Sequence, residues 1–171
     1  MRALVVVGLL AVVALVFVVV ALVRDTQGEA GLAGGCPEGW PLADVTLRER
    51  KDVKINVLNA TDRAGLAGDV ADEFSNRQFQ VKKTATEKKQ IEGIAVLRYG
   101  PKGVGSAHLL SAYFLRSAQL AYDPKRKDDA VDVVLGNDFQ QLATTTEVNQ
   151  ALGDLGAPQP PAGTCPMPVK K

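Results

Sequence analysis

The fold class is decided by the stretch VKINVLNATD, which occupies residues 53–62 of the 171-residue chain. Its apolar side chains alternate at Val53, Ile55 and Val57, which predicts a β-strand with one buried face. Leu58 adds apolar surface to the other face, which indicates a central strand. The turn and N-cap residue types of NATD predict that a helix follows.

The residues after this turn have the spacing of an amphipathic helix, with apolar side chains on one stripe and charged side chains opposite. The apolar stripe comprises Leu66, Ala67, Val70, Ala71 and Phe74. A second, edge-like strand is predicted over residues 79–84, where lysines discourage further edge pairing. A third strand over 94–99, a second helix over 104–118 and a fourth strand over 131–135 complete the pattern.

The predicted element order is therefore strand–helix–strand, given twice. Over residues 53–142 this order predicts an α+β fold, a ferredoxin-like split βαβ-βαβ domain with both helices on one face of an antiparallel sheet. The strands at 53–58 and 94–99 are expected at the centre of that sheet. Residues 143–171 carry less apolar surface and several prolines, so they are predicted to form a Pro-rich extended tail.

An apolar run precedes the domain. Residues 3–23 depart from apolar types only at Gly8, and their helical length of about 30 Å matches the hydrocarbon core of a bilayer. We therefore predict a single N-terminal transmembrane helix, with residues 1–2 as a short cytoplasmic end and 24–52 as a tether and Cys-containing entry segment. A cleaved signal peptide is one alternative, and a lipoprotein modified at Cys36 is another.

The chain has two cysteines, Cys36 and Cys165, which both follow the apolar run and bracket nearly everything downstream. This placement predicts a disulfide in a domain outside the cytoplasm, and two unpaired thiols are the alternative. Two cysteines without a nearby histidine do not make a structural zinc site, and no acidic calcium loop occurs in the sequence. We expect no metal site.

The charge balance argues against a nucleic-acid partner. The chain carries 20 Lys and Arg against 19 Asp and Glu, whereas a surface that neutralises phosphates needs a basic excess. The third predicted strand also has aliphatic side chains where an RNA-recognition domain of this predicted fold would place stacking aromatics.

Catalytic patterns are weak. His108 is the one histidine, and no acidic partner stands at a supporting spacing, so we predict a helix-flank residue and no catalytic set. The loop GPKGVGS at residues 100–106 lies between a strand and a helix but fails the phosphate-loop and dinucleotide patterns. It is predicted to be a tight turn, with weak anion binding through Lys102 and the helix N-terminus as the alternative. We expect no cofactor.

Two motifs carry a family resemblance. The stretch VLNAT at residues 57–61, followed by GLA at 65–67, and the stretch VVLGNDF at 133–139 resemble the LytR C-terminal domain family across roughly residues 53–142. The stretches RYGP at 98–101 and DDAVD at 128–132 look most similar to the single-span actinobacterial cell-envelope-integrity proteins that carry this domain.

The resemblance implies an extracytoplasmic module of the cell envelope. The domain often follows the phosphotransferase domain of LytR-CpsA-Psr proteins, which attach glycopolymers to peptidoglycan. We expect no room for that catalytic domain in a chain of this length, so the resemblance is taken to imply location and an accessory role but not the enzyme activity.

The leading hypothesis is a non-enzymatic, membrane-anchored extracytoplasmic protein that supports envelope integrity by binding a cell-wall polymer or an envelope protein. One alternative is a peptidoglycan or anionic glycopolymer binding module accessory to LytR-CpsA-Psr phosphotransferases, and another is a phosphotransfer enzyme or its obligate subunit. The candidate contact residues are Asn59, Thr61, Arg63, Arg98, Lys102 and Asp138. Asn and Asp at strand ends also commonly bond their own backbone, so turn formation is the alternative role for Asn59 and Asp138.

Overall fold

The structure is a computed structural model that describes residues 13–20 and 36–168. The chain divides into two compact units, Met1–Trp40 and Pro41–Lys171. Within the first unit residues 13–20 are helical and their side chains are exposed. The rest of the predicted 3–23 span, residues 1–2 and residues 24–35 lie outside the described residues. In the described ranges no helix combines the length and the apolar character needed to cross a membrane.

The second unit is built on a five-stranded sheet. Its elements in chain order are β1 (Leu42–Ala43), a 3-10 turn (Arg50–Asp52), β2 (Lys54–Asn59), α1 (Leu66–Asn76), β3 (Gln80–Thr86), β4 (Ala95–Tyr99), a second 3-10 turn (Pro101–Gly103), α2 (Val104–Tyr113), β5 (Gln119–Tyr122), β6 (Val131–Leu135), α3 (Thr145–Leu155) and β7 (Cys165–Pro166). Strands β1 and β7 pair in parallel as a separate two-stranded sheet.

The strand order of the large sheet is β3-β2-β6-β4-β5. Neighbouring strands are parallel except β4 and β6, which are antiparallel. The fold therefore contains two parallel strand–helix–strand units, β2-α1-β3 and β4-α2-β5, and β6 joins them. The prediction of an α+β domain is confirmed, but the ferredoxin-like arrangement with an antiparallel sheet is wrong, and the central strand is β6 rather than the pair at 53–58 and 94–99.

The physical reason for this correction lies in the segment after β4. The predicted helix over residues 104–118 ends at Tyr113, because Leu115 and Arg116 take left-handed backbone conformations with φ of 50° and 64°. The chain then forms β5, which pairs with β4. With that edge occupied, β6 lies between the two units, where its buried Val133, Val134 and Leu135 suit a strand with neighbours on both sides.

One face of the sheet holds the main core. Ile55, Val57, Leu97, Val131 and Val133 are fully buried and belong to the same apolar cluster as the inward side chains of the helices. An aromatic group closes the core, with ring centroids 5.0–6.4 Å apart among its members Phe74, Phe79, Tyr113 and Phe114. Such pairs contribute about 0.5–1.5 kcal/mol each beyond their burial.

The sequence predicts a Pro-rich extended tail over residues 143–171, but in the described part of this range a helix comes first. Thr144 and Glu147 make a capping box, and helix α3 begins immediately after Thr144. Val148 and Ala151 are buried one helical turn apart, and Leu152 and Leu155 pack against the core. The prolines that suggested a tail fall after this helix.

Cys36 and Cys165 are both disulfide-bonded, in agreement with the predicted pair. Cys165 lies in β7, where its backbone N–H donates to the Pro41 carbonyl oxygen at 3.0 Å. The segment after α3 therefore returns to the start of the second unit, and pairing of β7 with β1 holds it there.

The entry segment after β1 is held against the start of α2. Asp44 donates its backbone N–H to the Pro101 carbonyl at 2.7 Å, and the Asp44 carbonyl accepts from the Gly105 N–H at 3.0 Å. A Cβ on Gly105 would stand 1.9 Å from the Thr46 carbonyl oxygen. Glycine is required there because two backbones approach more closely than any side chain allows.

We expect Gly105→Ala to lower the free energy of unfolding by about 1–3 kcal/mol, because the new methyl group forces the entry segment away from α2. Gly153→Ala in α3 is the matched control, since no heavy atom lies within 4 Å of its Cβ position. That change should raise stability by about 0.5–1 kcal/mol through helix propensity. Urea unfolding of both variants measures the difference, and equal midpoints would contradict the close-approach argument.

Candidate functional site

The structure separates the six predicted contact residues into three places. Strands β2 and β6 are parallel, so the residues that follow them meet at one edge of the sheet, called here the β2/β6 edge. Asn59, Thr61, Arg63 and Asp138 lie at that edge. Strand β4 runs the other way, so Lys102, just after β4, lies at the opposite edge. Arg98 lies on the sheet itself, and the six do not form one site.

At the β2/β6 edge, the side chains of Asn59 and Thr61 are buried and bond their own loop. Asn59 Nδ2 donates to the Arg63 carbonyl oxygen at 2.6 Å, and Asn59 Oδ1 accepts from the Thr61 N–H at 3.0 Å and from Thr61 Oγ1 at 2.8 Å. Thr61 Oγ1 in turn accepts from the Arg63 N–H at 3.0 Å. These bonds shape the turn between β2 and α1, and a ligand contact at either residue stays a prediction.

Arg63 and Asp138 are the exposed members of the same edge. The Arg63 guanidinium lies 5.9 Å from the Phe139 ring centroid. Asp138 donates its backbone N–H to the Gly93 carbonyl oxygen at 3.0 Å, which fixes the loop after β6 against the loop before β4. Both side chains keep exposed polar atoms that could meet a ligand, and this role also stays a prediction.

Arg98 belongs to a polar network on the sheet face opposite the main core. Its guanidinium donates to the carboxylate of Glu87, the residue after β3, at 2.6 Å. Beside it, Asp132 accepts from Arg126 at 2.7 and 3.0 Å and from Asn56 at 2.7 Å. Burial by itself would raise the pKa of Asp132, but these hydrogen bonds outweigh it and hold that pKa below its usual value. The carboxylate is therefore ionised and acts as a structural ion-pair partner.

Lys102 and His108 lie on different elements and have different neighbours. Lys102 is exposed beside a cluster of mixed charge that includes Asp128, Asp129 and Lys127. The start of α2 is covered by the Asp44 carbonyl, which occupies the place where the sequence allowed a weak anion site. His108 Nε2 lies 3.0 Å from the Gly156 carbonyl oxygen. In the described part of the chain no group of three or more His, Cys, Asp and Glu is placed to hold a metal ion.

A cavity lined by several cationic side chains was not predicted from the sequence. It has a volume of about 370 Å³, in the range of small-ligand sites, and lies where the first 3-10 turn, the end of α1, α2 and α3 meet. We call it the basic cavity, and its lining residues are Arg48, Glu49, Arg50, Lys51, Arg77, Gln78, Leu109, Tyr113, Thr145, Val148, Asn149 and Leu152. The run RERK at 48–51 was its sequence signal, but the other walls come from distant segments.

The lining combines an apolar floor with a cationic rim. Tyr113, Leu109 and Val148 are buried, whereas Arg50 and Lys51 are exposed. Four cationic side chains and one carboxylate, Glu49, line the cavity, and further carboxylates outside the lining pair with two of the cations. The cavity therefore groups cationic side chains whose charge is partly balanced by neighbouring carboxylates.

Three of the four cationic side chains that line the cavity already have hydrogen-bond or ion-pair partners. Arg48 pairs with Asp44, and Lys51 Nζ lies 2.7 Å from Glu49. Arg77 donates to the Ala143 carbonyl at 2.6 Å, pairs with Glu73, and lies 5.5 Å from the Tyr113 ring centroid. Within the described ranges Arg50 has no side-chain hydrogen bond or ion pair, so its guanidinium can meet an anion without breaking one.

The hydrogen bonds of Asn59 lead to a stability prediction. Asn59→Ala should lower the free energy of unfolding by about 1–3 kcal/mol, because it leaves buried partners in the turn unsatisfied. Asn137→Ala, at the same edge but exposed and held by one long bond of 3.4 Å to Glu92, is the control and should change stability by under about 0.5 kcal/mol. Thermal unfolding measures both variants. Equal small effects would show that Asn59 is available for a ligand rather than fixed in the turn.

Comparisons with known proteins agree with this architecture. The family LytR_C, described as LytR cell envelope-related transcriptional attenuator, matches residues 52–139. The cell envelope integrity protein Cei of Mycobacterium tuberculosis, strain ATCC 25618 / H37Rv, is 30% identical over 125 residues, and the match covers 70% of this chain. The chain spans 57% of the length of that relative.

A solved structure is also similar. The crystal structure of the soluble domain of a conserved hypothetical secreted protein from Mycobacterium marinum aligns with a TM-score of 0.51 and 30% sequence identity, covering 74% of this chain and 84% of that one. The resemblance seen in the sequence motifs is confirmed, and the comparisons support an association with the cell envelope. With the family match spanning half of its residues, the chain belongs to the LytR_C family.

Proposed function

We propose that this chain is a single-pass membrane protein, anchored through residues 3–23, whose second unit lies outside the cytoplasm. There it supports envelope integrity by binding a cell-wall component or an envelope protein, without catalysing a reaction. The observation that carries the proposal is the basic cavity, because its volume and its mixture of apolar and charged side chains suit ligand binding.

The disulfide supports the extracytoplasmic location. Disulfides persist in oxidising compartments and are rare in reducing cytosol, and both cysteines of this chain are bonded. The apolar character of residues 3–23 supports the anchor, since a run of that length is sufficient to span a bilayer.

The chemistry of the cavity supports binding over catalysis. General acid–base catalysis is most efficient when the pKa of the catalytic group lies near the working pH. In this cavity the one carboxylate, Glu49, has its pKa lowered by the hydrogen bond from Lys51, so it stays ionised and is a poor acid or base. The four cations can hold an anion in place but supply no nucleophile.

The proposed location predicts how the thiols react. On intact cells and on denatured membranes, a bulky maleimide should label Cys36 and Cys165 only after reduction, because both sulfurs are bonded. Ready labelling after denaturation without reductant would place the second unit in a reducing compartment and contradict the proposed topology. A cytoplasmic protein with known free thiols, labelled in the same samples, controls for reagent access and for cell integrity.

The binding proposal predicts sedimentation with the envelope. The full chain, purified in neutral detergent, should pellet with insoluble envelope from the organism that encodes it and stay in solution without envelope. Envelope stripped of protein separates the two kinds of partner, since a wall polymer survives stripping and an envelope protein does not. Failure to pellet with both preparations would contradict the proposed function.

The alternative of an accessory glycopolymer-binding module is favoured by one observation, the cationic rim. A module that works beside LytR-CpsA-Psr phosphotransferases would meet anionic polymer, and a cation-rich cavity suits such a ligand. Retention on stripped envelope would favour this alternative over an envelope-protein partner.

A further inference from the structure

We infer that the basic cavity binds a phosphate-bearing saccharide, with Arg50 and Lys51 holding the phosphate. This inference rests on the proposed function and names both the ligand class and the site. It also moves the ligand site away from the β2/β6 edge, where the sequence placed most candidate contacts.

The first support is the rigidity of the segment that carries the two cations. Arg50–Asp52 forms a 3-10 turn directly before β2, and the Val53 N–H donates to the Arg50 carbonyl at 3.1 Å. Gln80 in β3 binds the same turn, through Nε2 to the Lys51 carbonyl oxygen at 2.7 Å. The backbone beneath both cations is thus fixed to two strands of the sheet, so their side chains start from a preorganised position.

The second support is the availability of these side chains. Both are exposed, and Arg50 has no ion-pair partner in the region the structure covers. Lys51 pairs with Glu49, whose side chain is 74% exposed, and also interacts electrostatically with Asp52; water screens surface interactions of this kind. A phosphate group can therefore take up both cations at little cost. Arginine and lysine are the side chains that bind phosphate best, the former through a two-pronged hydrogen bond.

The remainder of the cavity is lined by apolar and neutral polar side chains. Leu109, Tyr113 and Val148 supply an apolar floor, while Gln78, Thr145 and Asn149 add neutral donors and acceptors. Neutral amides and hydroxyls suit the hydroxyl groups of a sugar, and the floor suits its C–H faces. An isolated phosphate would leave this surface unused, whereas a sugar attached to the phosphate would contact both the apolar floor and the neutral polar side chains.

The test is isothermal titration calorimetry on the full chain in neutral detergent. The probe is a synthetic disaccharide whose two sugars are joined through a phosphodiester, and the comparison ligands are the glycosidically linked disaccharide without phosphate and inorganic phosphate. We expect the phosphodiester ligand to bind at least about tenfold more tightly than either, because only it engages both rim and floor. Equal affinity for the charged and uncharged disaccharides would overturn the inference.

Variants locate the site. The double change Arg50→Gln and Lys51→Gln should weaken binding of the phosphodiester disaccharide by about tenfold or more. A higher salt concentration should also weaken binding of this ligand to the wild type. The matched control is Lys88→Gln with Lys89→Gln, which removes two exposed positive charges from the loop between β3 and β4. An equal loss in the control would show a non-specific charge effect and overturn the assignment to this cavity.

Two further comparisons separate the other sources of negative charge. Phosphatidylglycerol vesicles and a glutamate-rich peptide are titrated against wild type and the Arg50/Lys51 double variant. Tighter binding of either one than of the phosphodiester disaccharide, lost in the double variant, would reassign the rim to lipid or to acidic peptide. If the chain pellets with envelope but shows no preference for the phosphodiester, the proposed function stands and the ligand class falls. If it does not pellet at all, the proposed function itself falls.

Discussion

The position of β6 between β2 and β4 is the constraint on which the rest of the structure depends. Each of its neighbours already belongs to a complete strand–helix–strand unit, and neither unit can bury both edges of its own sheet. Strand β6 pairs in parallel with one unit and antiparallel with the other, so the carboxyl ends of β2 and β4 point to opposite edges. Because β2 and β4 run in opposite directions, the loops that follow them lie at opposite edges of the sheet, although the two loops have equivalent places in the sequence pattern.

Local patterns in the sequence were sufficient for most elements but not for their arrangement. The alternation at 53–58 and the apolar stripe of α1 depend on neighbouring residues alone, and both elements are present. Helix α2 ends earlier than its pattern indicated. The sequence did not show this end because the left-handed turn at Leu115 and Arg116 contains no glycine. That single error removed β5 from the predicted sheet and led to the wrong topology. The start of helix α3 could have been predicted from the sequence, since Thr144 and Glu147 have the spacing of a capping box.

The basic cavity could not be predicted in the same way, because its walls come from segments that are far apart in the chain. Arg50 precedes the first long strand, Gln78 follows α1, Tyr113 ends α2, and Asn149 lies in α3. Their proximity follows from the packing of α3 on α2, and α3 was itself missing from the predicted fold. A basic run such as RERK is ordinarily a solvated surface, and it becomes a rim only when an apolar floor lies beside it.

The family motifs and the proposed ligand site lie in different parts of the chain. The family match covers residues 52–139, whereas the cavity draws Arg48–Lys51 and the α3 side chains from outside that range. Inside the match, the side chains of Asn59 and Thr61 form hydrogen bonds within the turn before α1. Gly136 is needed because a Cβ there would lie 2.3 Å from the Gly93 carbonyl oxygen. These motifs specify the scaffold. The proposed site takes Arg50 and Lys51 from a segment before the family match but Tyr113 from inside it, so membership of the family fixes the fold without fixing the ligand.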